Sequence, residues 1–148
     1  MGVCLGIAHV AVQLGQQLRG QERIDIRSEF ALDLRTGKKV WYAAPPKPAC
    51  VKEYGCSAAQ MAPPTVIAGV VFAGSLDGHL RAYDSRNGAV LWDFDTDREF
   101  ATTNGLKAHG GSLNGAGPAV VSGMVYVNSG YTNAMAGNVL LAFSAESK

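Results

Sequence analysis

The 148-residue chain has a formal net charge of only +1, from 13 basic and 12 acidic residues scattered along its length. Because no basic patch is present, the composition argues against a nucleic-acid-binding surface. Eighteen glycines are typical of a turn-rich all-β protein.

The first 28 residues do not share the pattern of the rest of the chain. Residues 3–14 are mostly apolar, but His9 and Gln13 interrupt them and no basic segment precedes them, as one would in a signal peptide. This stretch is also too short to span a bilayer. We therefore assign no function to residues 1–28. They are either an amphipathic helix or the product of a misplaced start codon.

An eleven-residue pattern occurs twice and indicates the fold. Residues 31–41 read A-x-D-x-x-T-G-x-x-x-W, and residues 82–92 repeat this pattern with Asn in place of Thr. Recurrence after about fifty residues is typical of a repeat architecture. Because large aromatic rings contribute much burial, we expect Trp41 and Trp92 to dock one repeat on the next rather than to act in catalysis.

The second repeat predicts a four-stranded antiparallel unit. Alternating apolar residues, separated by the turn at Leu76-Asp77-Gly78 and by a two-residue hairpin at Asn87-Gly88, are typical of such a meander. The expected strands lie at about residues 61–68, 70–73, 79–84 and 90–94. Four antiparallel strands per repeat predict the blades of a β-propeller.

The repeat count predicts an incomplete propeller at residues 29–148. We count half a blade, one whole blade and about three quarters of another, so the predicted fold is all-β, with two to three four-stranded blades. A propeller needs roughly four to eight blades. Because open edge strands invite aggregation, we expect the remaining blades of a longer protein, or self-association, to cover the ends.

Strand direction predicts that the long connections share one face of the propeller. Since successive strands alternate in direction, the short turns lie on one face and the long connections lie on the other. The long connections are residues 43–60, 96–117 and 130–137. Long loops on a rigid scaffold are the usual place for function.

Cys50 and Cys56 lie in the first long connection. A disulfide closing a small loop is one interpretation, and it implies an oxidising compartment. A redox pair at the rim is the alternative. The spacing does not fit a zinc site, and the chain contains no C-x-x-C-H motif for attaching haem c.

Several segments together resemble PQQ (pyrroloquinoline quinone)-dependent dehydrogenases, and most closely the C-terminal part of the polyvinyl-alcohol dehydrogenases. One of these segments is the tryptophan motif, and another reads T-N-G-L-K-A-H-G-G-S at residues 103–112. The others lie at residues 50–60, 69–84, 128–131 and 137–143. The resemblance implies an eight-bladed periplasmic quinohaemoprotein that oxidises secondary alcohols of a polymer. PQQ with calcium would lie in its channel, a cytochrome would accept the electrons, and the haem domain would lie outside this segment.

The resemblance directs attention to the loop at residues 102–111. PQQ is a planar tricarboxylate, so a protein that binds it needs cations or amide donors. Lys107 would pair with a carboxylate, His109 would act as an acid or base, and the glycines would present backbone N–H groups. The expected cofactor-binding residues are Asn104, Gly105, Lys107, His109, Gly110 and Gly111. A solvated loop whose glycines serve only turns is the alternative.

Four other polar residues outside this loop also have expected roles. We expect His79 to be structural and Arg81 to pair with Asp84 or Asp77, while Tyr131 and Asn133 would contact substrate or cofactor. The general base and the metal ligands are expected on other blades. We therefore name no catalytic residue and expect the isolated chain to be inactive.

A non-catalytic function is the competing interpretation. Propellers that act as outer-membrane assembly scaffolds or extracytoplasmic binding modules carry similar blades, and they often act by strand addition at sheet edges. Binding of PQQ would distinguish the two interpretations.

Overall fold

A computed structural model of the chain describes residues 28–44, 46–50 and 55–145. The expectations for residues 1–27 lie outside the described residues. The described part folds into eleven strands arranged in four antiparallel sheets, and it contains no helix. The strands are β1 (Glu29–Leu32), β2 (Lys39–Ala43), β3 (Thr65–Ile67), β4 (Val70–Gly74), β5 (His79–Asp84), β6 (Val90–Asp95), β7 (Glu99–Ala101), β8 (Lys107–His109), β9 (Ala119–Val121), β10 (Met124–Ser129) and β11 (Val139–Ser144).

The second repeat is a complete blade with strand order β3-β4-β5-β6. Its central strand β5 is buried at every position except the partly exposed His79, because neighbouring sheets cover both of its faces. The first repeat contributes the pair β1-β2, and the third contributes the sheet β9-β10-β11. The prediction of an all-β partial propeller is therefore confirmed.

The second long connection contains a hairpin that the sequence analysis treated as loop. Strands β7 and β8 pair with Glu99 opposite His109 and Ala101 opposite Lys107. Gly105 lies in the turn with a φ of +77°, and its N–H donates to the carbonyl of Thr102 at 3.1 Å. Each strand is only three residues long, which is too short for alternation of apolar and polar residues to identify it.

The loop after β5 is longer than the expected two-residue hairpin, so that prediction is wrong. It spans residues 85–89, and the Asp84 carboxylate accepts a hydrogen bond from the backbone N–H of Arg86 at 2.8 Å. The N–H of Gly88 donates to the carbonyl of Asp84 at 2.8 Å, with Gly88 at a φ of +72°. The aspartate therefore organises a wider loop. In the first copy of the motif, Asp33 and Gly37 make the same backbone bond at 2.7 Å.

Trp41 packs the first repeat on the second. Its side chain is only 7% exposed, and its indole N–H donates to the carbonyl of Ser85 at 2.8 Å. The ring lies against Gly88, where a Cβ atom would come within 2.5 Å of the ring carbon Cε3. Trp41 shares a buried apolar cluster with Val71 and Tyr83. Gly88 therefore provides both the backbone conformation of the loop and the space for the indole.

Trp92 makes the corresponding contacts toward the third repeat. Its ring stacks on Phe94 at 5.6 Å between centroids and meets the edge of Phe143 at 5.1 Å. It packs against a second buried cluster that includes Leu80 and Leu113. The three repeats are therefore joined by two separate apolar layers.

A buried ionic network lies beneath the turn between β4 and β5. The Arg81 guanidinium is 3.2 Å from a carboxylate oxygen of Asp77 and 3.1 Å from one of Asp93. It also donates to the Ser75 hydroxyl at 2.7 Å. Burial opposes ionisation of Asp77, but hydrogen bonds from Ser75 and Arg81 outweigh it and hold the pKa of the carboxyl below its usual value. The network fixes the turn that faces the long connections.

The network resolves the pairing expected for Arg81. Of the two alternatives, Asp77 is the partner, whereas Asp84 pairs with Arg86 at 2.6 Å. Hydrogen bonds from the side chain and backbone of Arg86 lower the pKa of Asp84 to about 2. His79 lies 2.6 Å from Asp93 through Nδ1, which extends the network to the surface.

Candidate functional site

Backbone hydrogen bonds bring the second and third long connections together at one rim. The N–H of Leu113 donates to the carbonyl of Ser75 at 3.0 Å, beside the turn of the second blade. Ser112 donates to Met135 at 2.9 Å, and Gly130 donates to Ser112 at 3.1 Å. These bonds connect segments that are far apart in sequence, so the rim has a defined backbone framework.

Gly110 and Gly111 lie inside this framework. A Cβ atom at Gly110 would lie 1.6 Å from the carbonyl oxygen of Thr96, and one at Gly111 would lie 2.2 Å from that of Met135. Both glycines are buried. Only residues without a side chain allow the connections to approach this closely.

The backbone N–H groups of the three rim glycines are used within the protein. Gly110 donates to the carbonyl of Arg98 at 3.0 Å, and Gly111 donates to the hydroxyl of Ser129 at 2.8 Å. Gly105 donates within its own turn. The expectation that these groups are presented to a cofactor therefore conflicts with the geometry, because their N–H donors already have acceptors.

The polar residues of the expected site lie on the β7–β8 hairpin, which directly precedes Gly110 and Gly111. Lys107 and His109 are exposed on β8, and Ala108 between them is buried, as alternation along a strand requires. The Asn104 side-chain oxygen accepts hydrogen bonds from the Thr102 hydroxyl at 2.6 Å and from the Leu106 N–H at 3.2 Å. The hairpin therefore displays a lysine, a histidine and an amide together at the rim.

His109 is held at the base of the hairpin. Its side chain is 50% exposed, and Nδ1 lies 3.8 Å from a carboxylate oxygen of Asp97. Its backbone N–H donates to the Asn138 side chain at 3.0 Å, and its carbonyl accepts from the Asn138 N–H at 2.8 Å. These contacts join the hairpin to Asn138, which directly follows the third connection. They leave half of the imidazole open to solvent.

The first long connection reaches the same rim through its disulfide loop. Cys50 and Cys56 form a disulfide. Gly55, beside Cys56, has a φ of +83°, and a Cβ atom there would lie 2.7 Å from the Cβ of Ala134. The N–H of Ala49 lies 3.4 Å from the Asp77 carboxylate. Gly55, next to the disulfide, therefore lies close to Ala134 of the third connection.

An open cleft of about 630 Å³ lies where the disulfide loop meets the other two connections. Tyr131, one of its lining residues, is 60% exposed. The lining residues are Gly55, Asn114, Tyr131, Thr132, Asn133 and Ala134. Tyr131 and Asn133 are among the residues predicted to contact substrate or cofactor. Asn114 and Thr132 are not, because their place in the cleft depends on contacts between connections that no local pattern reveals.

Glu29 is a buried carboxyl group that the sequence analysis also missed. It is 4% exposed on β1, and burial raises its pKa to about 7. The two copies of the tryptophan motif align Glu29 with Leu80, which is fully buried. The sequence could therefore have revealed Glu29 as unusual, because an acidic residue occupies the position at which the second repeat has the buried Leu80.

Two features are absent from the part of the chain that the structure describes. Within it, no group of three or more His, Cys, Asp or Glu side chains is arranged to hold a metal ion. No helix in the same part is long and apolar enough to cross a membrane.

Comparison with known proteins identifies the family. The model of the family described as outer membrane protein assembly factor BamB (PQQ_2) matches residues 28–147. The chain belongs to the PQQ_2 family. Polyvinylalcohol dehydrogenases from Sphingopyxis sp. (strain 113P3) and Pseudomonas sp. are 41% and 42% identical to it, over 133 and 131 residues. Each alignment covers 80% of this chain and 20% of the relative, so the chain spans about a fifth of the length of these dehydrogenases.

A solved structure gives a second point of comparison for this PQQ_2 chain. The crystal structure of BamB from Moraxella catarrhalis matches 81% of the chain and 32% of the BamB chain, with a TM-score of 0.51 and 25% identity. The resemblance to PQQ-dependent dehydrogenases is confirmed. Because an assembly factor and dehydrogenases both match the blades, the PQQ_2 repeat does not decide between a scaffold and an enzyme, so only the residues of the rim can distinguish them.

Proposed function

We propose that this chain supplies the C-terminal blades of a PQQ-dependent alcohol dehydrogenase and that its β7–β8 hairpin contacts the cofactor. The observation that carries the proposal is the exposed group of Asn104, Lys107 and His109 at the rim, directly before the packed glycine pair. A scaffold propeller has no need for a cation and an amide displayed on one exposed hairpin. The identity to polyvinylalcohol dehydrogenases supports the same assignment.

The polar side chains of the hairpin suit a tricarboxylate quinone. The backbone N–H groups of Gly105, Gly110 and Gly111 do not, because each already donates to an acceptor within the protein. Lys107 would pair with a carboxylate as a charge-assisted donor. The amide nitrogen of Asn104 would donate to a second oxygen, since its side-chain oxygen already serves the turn. His109 would accept or release a proton at its half-exposed imidazole. When bound, PQQ would supply the oxidant that removes two electrons from the alcohol.

The remaining parts of the enzyme would lie elsewhere in the protein. Calcium would be held by residues other than those described here, and the general base would also come from other blades. In this proposal the substrate is a secondary alcohol of a polymer, the electron acceptor is a cytochrome and the location is the periplasm. The disulfide between Cys50 and Cys56 supports an oxidising compartment.

A titration of the chain with PQQ tests the cofactor assignment. Quenching of Trp41 and Trp92 fluorescence would report binding. The variant Lys107→Gln removes the cation, and we expect its affinity for PQQ to be about tenfold lower, which is near the lower limit for a hydrogen bond to a charged group. Lys38→Gln, an exposed lysine in the loop between β1 and β2, is the matched control and should bind as the parent does. Equal affinities for the parent and Lys107→Gln would refute the role of Lys107.

The likeness to BamB favours a second candidate function, a scaffold that binds other proteins. Within the described residues, β1 and β11 each pair with a single neighbour, so each presents an edge for strand addition. This candidate requires no cofactor. A chain that shows no saturable PQQ binding, but captures a peptide in β conformation at β11, would support the scaffold over the dehydrogenase.

A further inference from the structure

The Nδ1 atom of His109 lies beside two hydrogen-bond acceptors. It makes a hydrogen bond with the backbone carbonyl of Gly110, and it lies 3.8 Å from a carboxylate oxygen of Asp97. A carbonyl oxygen and an ionised carboxylate accept hydrogen bonds but cannot donate them. In the neutral ring Nδ1 therefore carries the proton, and the lone pair that can accept a further hydrogen bond lies on Nε2.

The Gly110 carbonyl is fixed by the packing of the rim. The N–H of Gly110 donates to the carbonyl of Arg98 at 3.0 Å, and a Cβ atom at Gly110 would lie 1.6 Å from the carbonyl oxygen of Thr96. From another segment, a Cβ atom at Gly137 would lie 2.6 Å from the Gly110 carbonyl oxygen. Because the backbone is packed on both sides, this acceptor keeps its position next to the imidazole.

Asp97 and the backbone of His109 are also held in place. The N–H of Asp97 donates to the side chain of Asp95 at 2.8 Å, and a Cβ atom at Gly78 would lie 2.9 Å from the Asp97 Cβ. Asn138 bonds both the N–H and the carbonyl of His109. At 3.8 Å the Asp97 carboxylate is too far for a hydrogen bond to Nδ1, so it acts through its charge, which stabilises the positive end of the N–H dipole.

We infer that Asp97 and the Gly110 carbonyl hold His109 in the tautomer with the proton on Nδ1, so that Nε2 accepts a hydrogen bond from a ligand at the hairpin. Asp97 is thus a positioning residue. The identity of the ligand rests on the proposed function. The carboxylates, quinone oxygens and pyridine nitrogen of PQQ are acceptors at neutral pH, whereas its pyrrole N–H is a donor. That N–H is the group that suits neutral His109, while a carboxylate suits Lys107.

Long-range ¹H–¹⁵N NMR of the ¹⁵N-labelled chain tests the tautomer without any ligand. In mildly alkaline buffer a histidine side chain is neutral, and its protonated and unprotonated ring nitrogens have well-separated shifts. The variant His109→Gln lacks the His109 signals and so identifies them. We expect Nδ1 of His109 to be protonated and Nε2 to be unprotonated, whereas free histidine favours the reverse. A spectrum in which the Nε2–H form of His109 predominates would overturn the inference.

Two charge-removing variants test the role of Asp97 in the same experiment. Asp97→Asn should lower the ratio of the Nδ1–H form to the Nε2–H form by about twofold to fivefold, as expected for a partly exposed ion pair. Glu99→Gln is the matched control, because Glu99 is the exposed cross-strand neighbour of His109 on β7, and it should leave the ratio nearly unchanged. An unchanged ratio in Asp97→Asn, or equal changes in both variants, would refute the role of Asp97. Circular dichroism would verify that each variant folds.

Titrations with PQQ and with PQQ methylated at the pyrrole nitrogen test the ligand group. We expect the parent chain to bind the methylated compound about fivefold more weakly, a typical loss for one hydrogen bond, and His109→Ala to bind the two compounds nearly equally. The same ratio of affinities in parent and variant would overturn the pairing with the pyrrole N–H, while the dehydrogenase proposal would stand. If neither compound binds saturably but the Nδ1–H form predominates, the dehydrogenase proposal is wrong and the positioning of His109 stands.

Discussion

The two motif glycines give a matched test of how Trp41 docks. Gly37 and Gly88 occupy the same position in the two copies and have φ values of +67° and +72°. No described atom lies within 4 Å of a Cβ built at Gly37, whereas one built at Gly88 lies 2.5 Å from Trp41 Cε3. An alanine therefore meets the same backbone strain at both positions, but it displaces the indole only at Gly88.

The expected magnitudes follow from these contacts. Left-handed backbone costs an alanine about 1 kcal/mol, so Gly37→Ala should lower the free energy of unfolding by about that amount. Gly88→Ala adds overpacking of about 1–3 kcal/mol to the same backbone strain. It also displaces the indole from its hydrogen bond to Ser85, which is worth about 1 kcal/mol. We therefore expect a loss of about 3–5 kcal/mol for Gly88→Ala.

Urea unfolding followed by tryptophan fluorescence would measure both variants. In a Trp41→Ala background, the cost of Gly88→Ala should fall to about 1 kcal/mol, because only the backbone strain remains. Equal losses for Gly37→Ala and Gly88→Ala in the parent chain would refute the docking argument, as would an unchanged cost after removal of the indole.

Three further predictions concern buried groups and the disulfide. Because burial raises the pKa of Glu29 to about 7, its protonated form is favoured in the folded state, so stability should fall as pH rises from about 4.5 to 7. Glu29→Gln should remove that slope in urea titrations at several pH values, and a parent chain of constant stability over this window would contradict it. Arg81→Ala leaves the carboxyl of Asp77 buried without its cation, so the free energy of unfolding should fall by about 3–5 kcal/mol. Calorimetry or urea unfolding would measure this, and a loss below about 1 kcal/mol would disprove the network's role. Replacing Cys50 and Cys56 by serine opens a short loop and should cost about 2 kcal/mol in the same assay, whereas equal stability with and without reductant would count against the disulfide.

The features that could be predicted from the sequence are those set by nearby residues. The spacing of Asp84, Gly88 and Trp92 indicated a blade because an aspartate-organised loop and an interfacial ring require those residue types at short range. The strands of the second blade were also predictable, because β5 is long enough to show its pattern. Its position between two sheets explains why nearly every residue in it is buried.

The features that could not be predicted depend on contacts across the rim. Gly110 and Gly111 were predicted to bind the cofactor, whereas the structural reason for their small size is the close approach of Thr96 and Met135. Strands of three residues in the β7–β8 hairpin carry too little pattern to be recognised. The cleft at Asn114 likewise exists only because three connections meet there.

Mapping the PQQ-binding residues by NMR tests the central claim most directly. In a ¹⁵N-labelled chain titrated with PQQ, we expect saturable shifts of the amide signals that concentrate at residues 104–109, together with a shift of the His109 ring signals. Shifts confined to other parts of the chain, or the absence of saturable shifts at millimolar PQQ, would contradict the assignment of this hairpin to the cofactor.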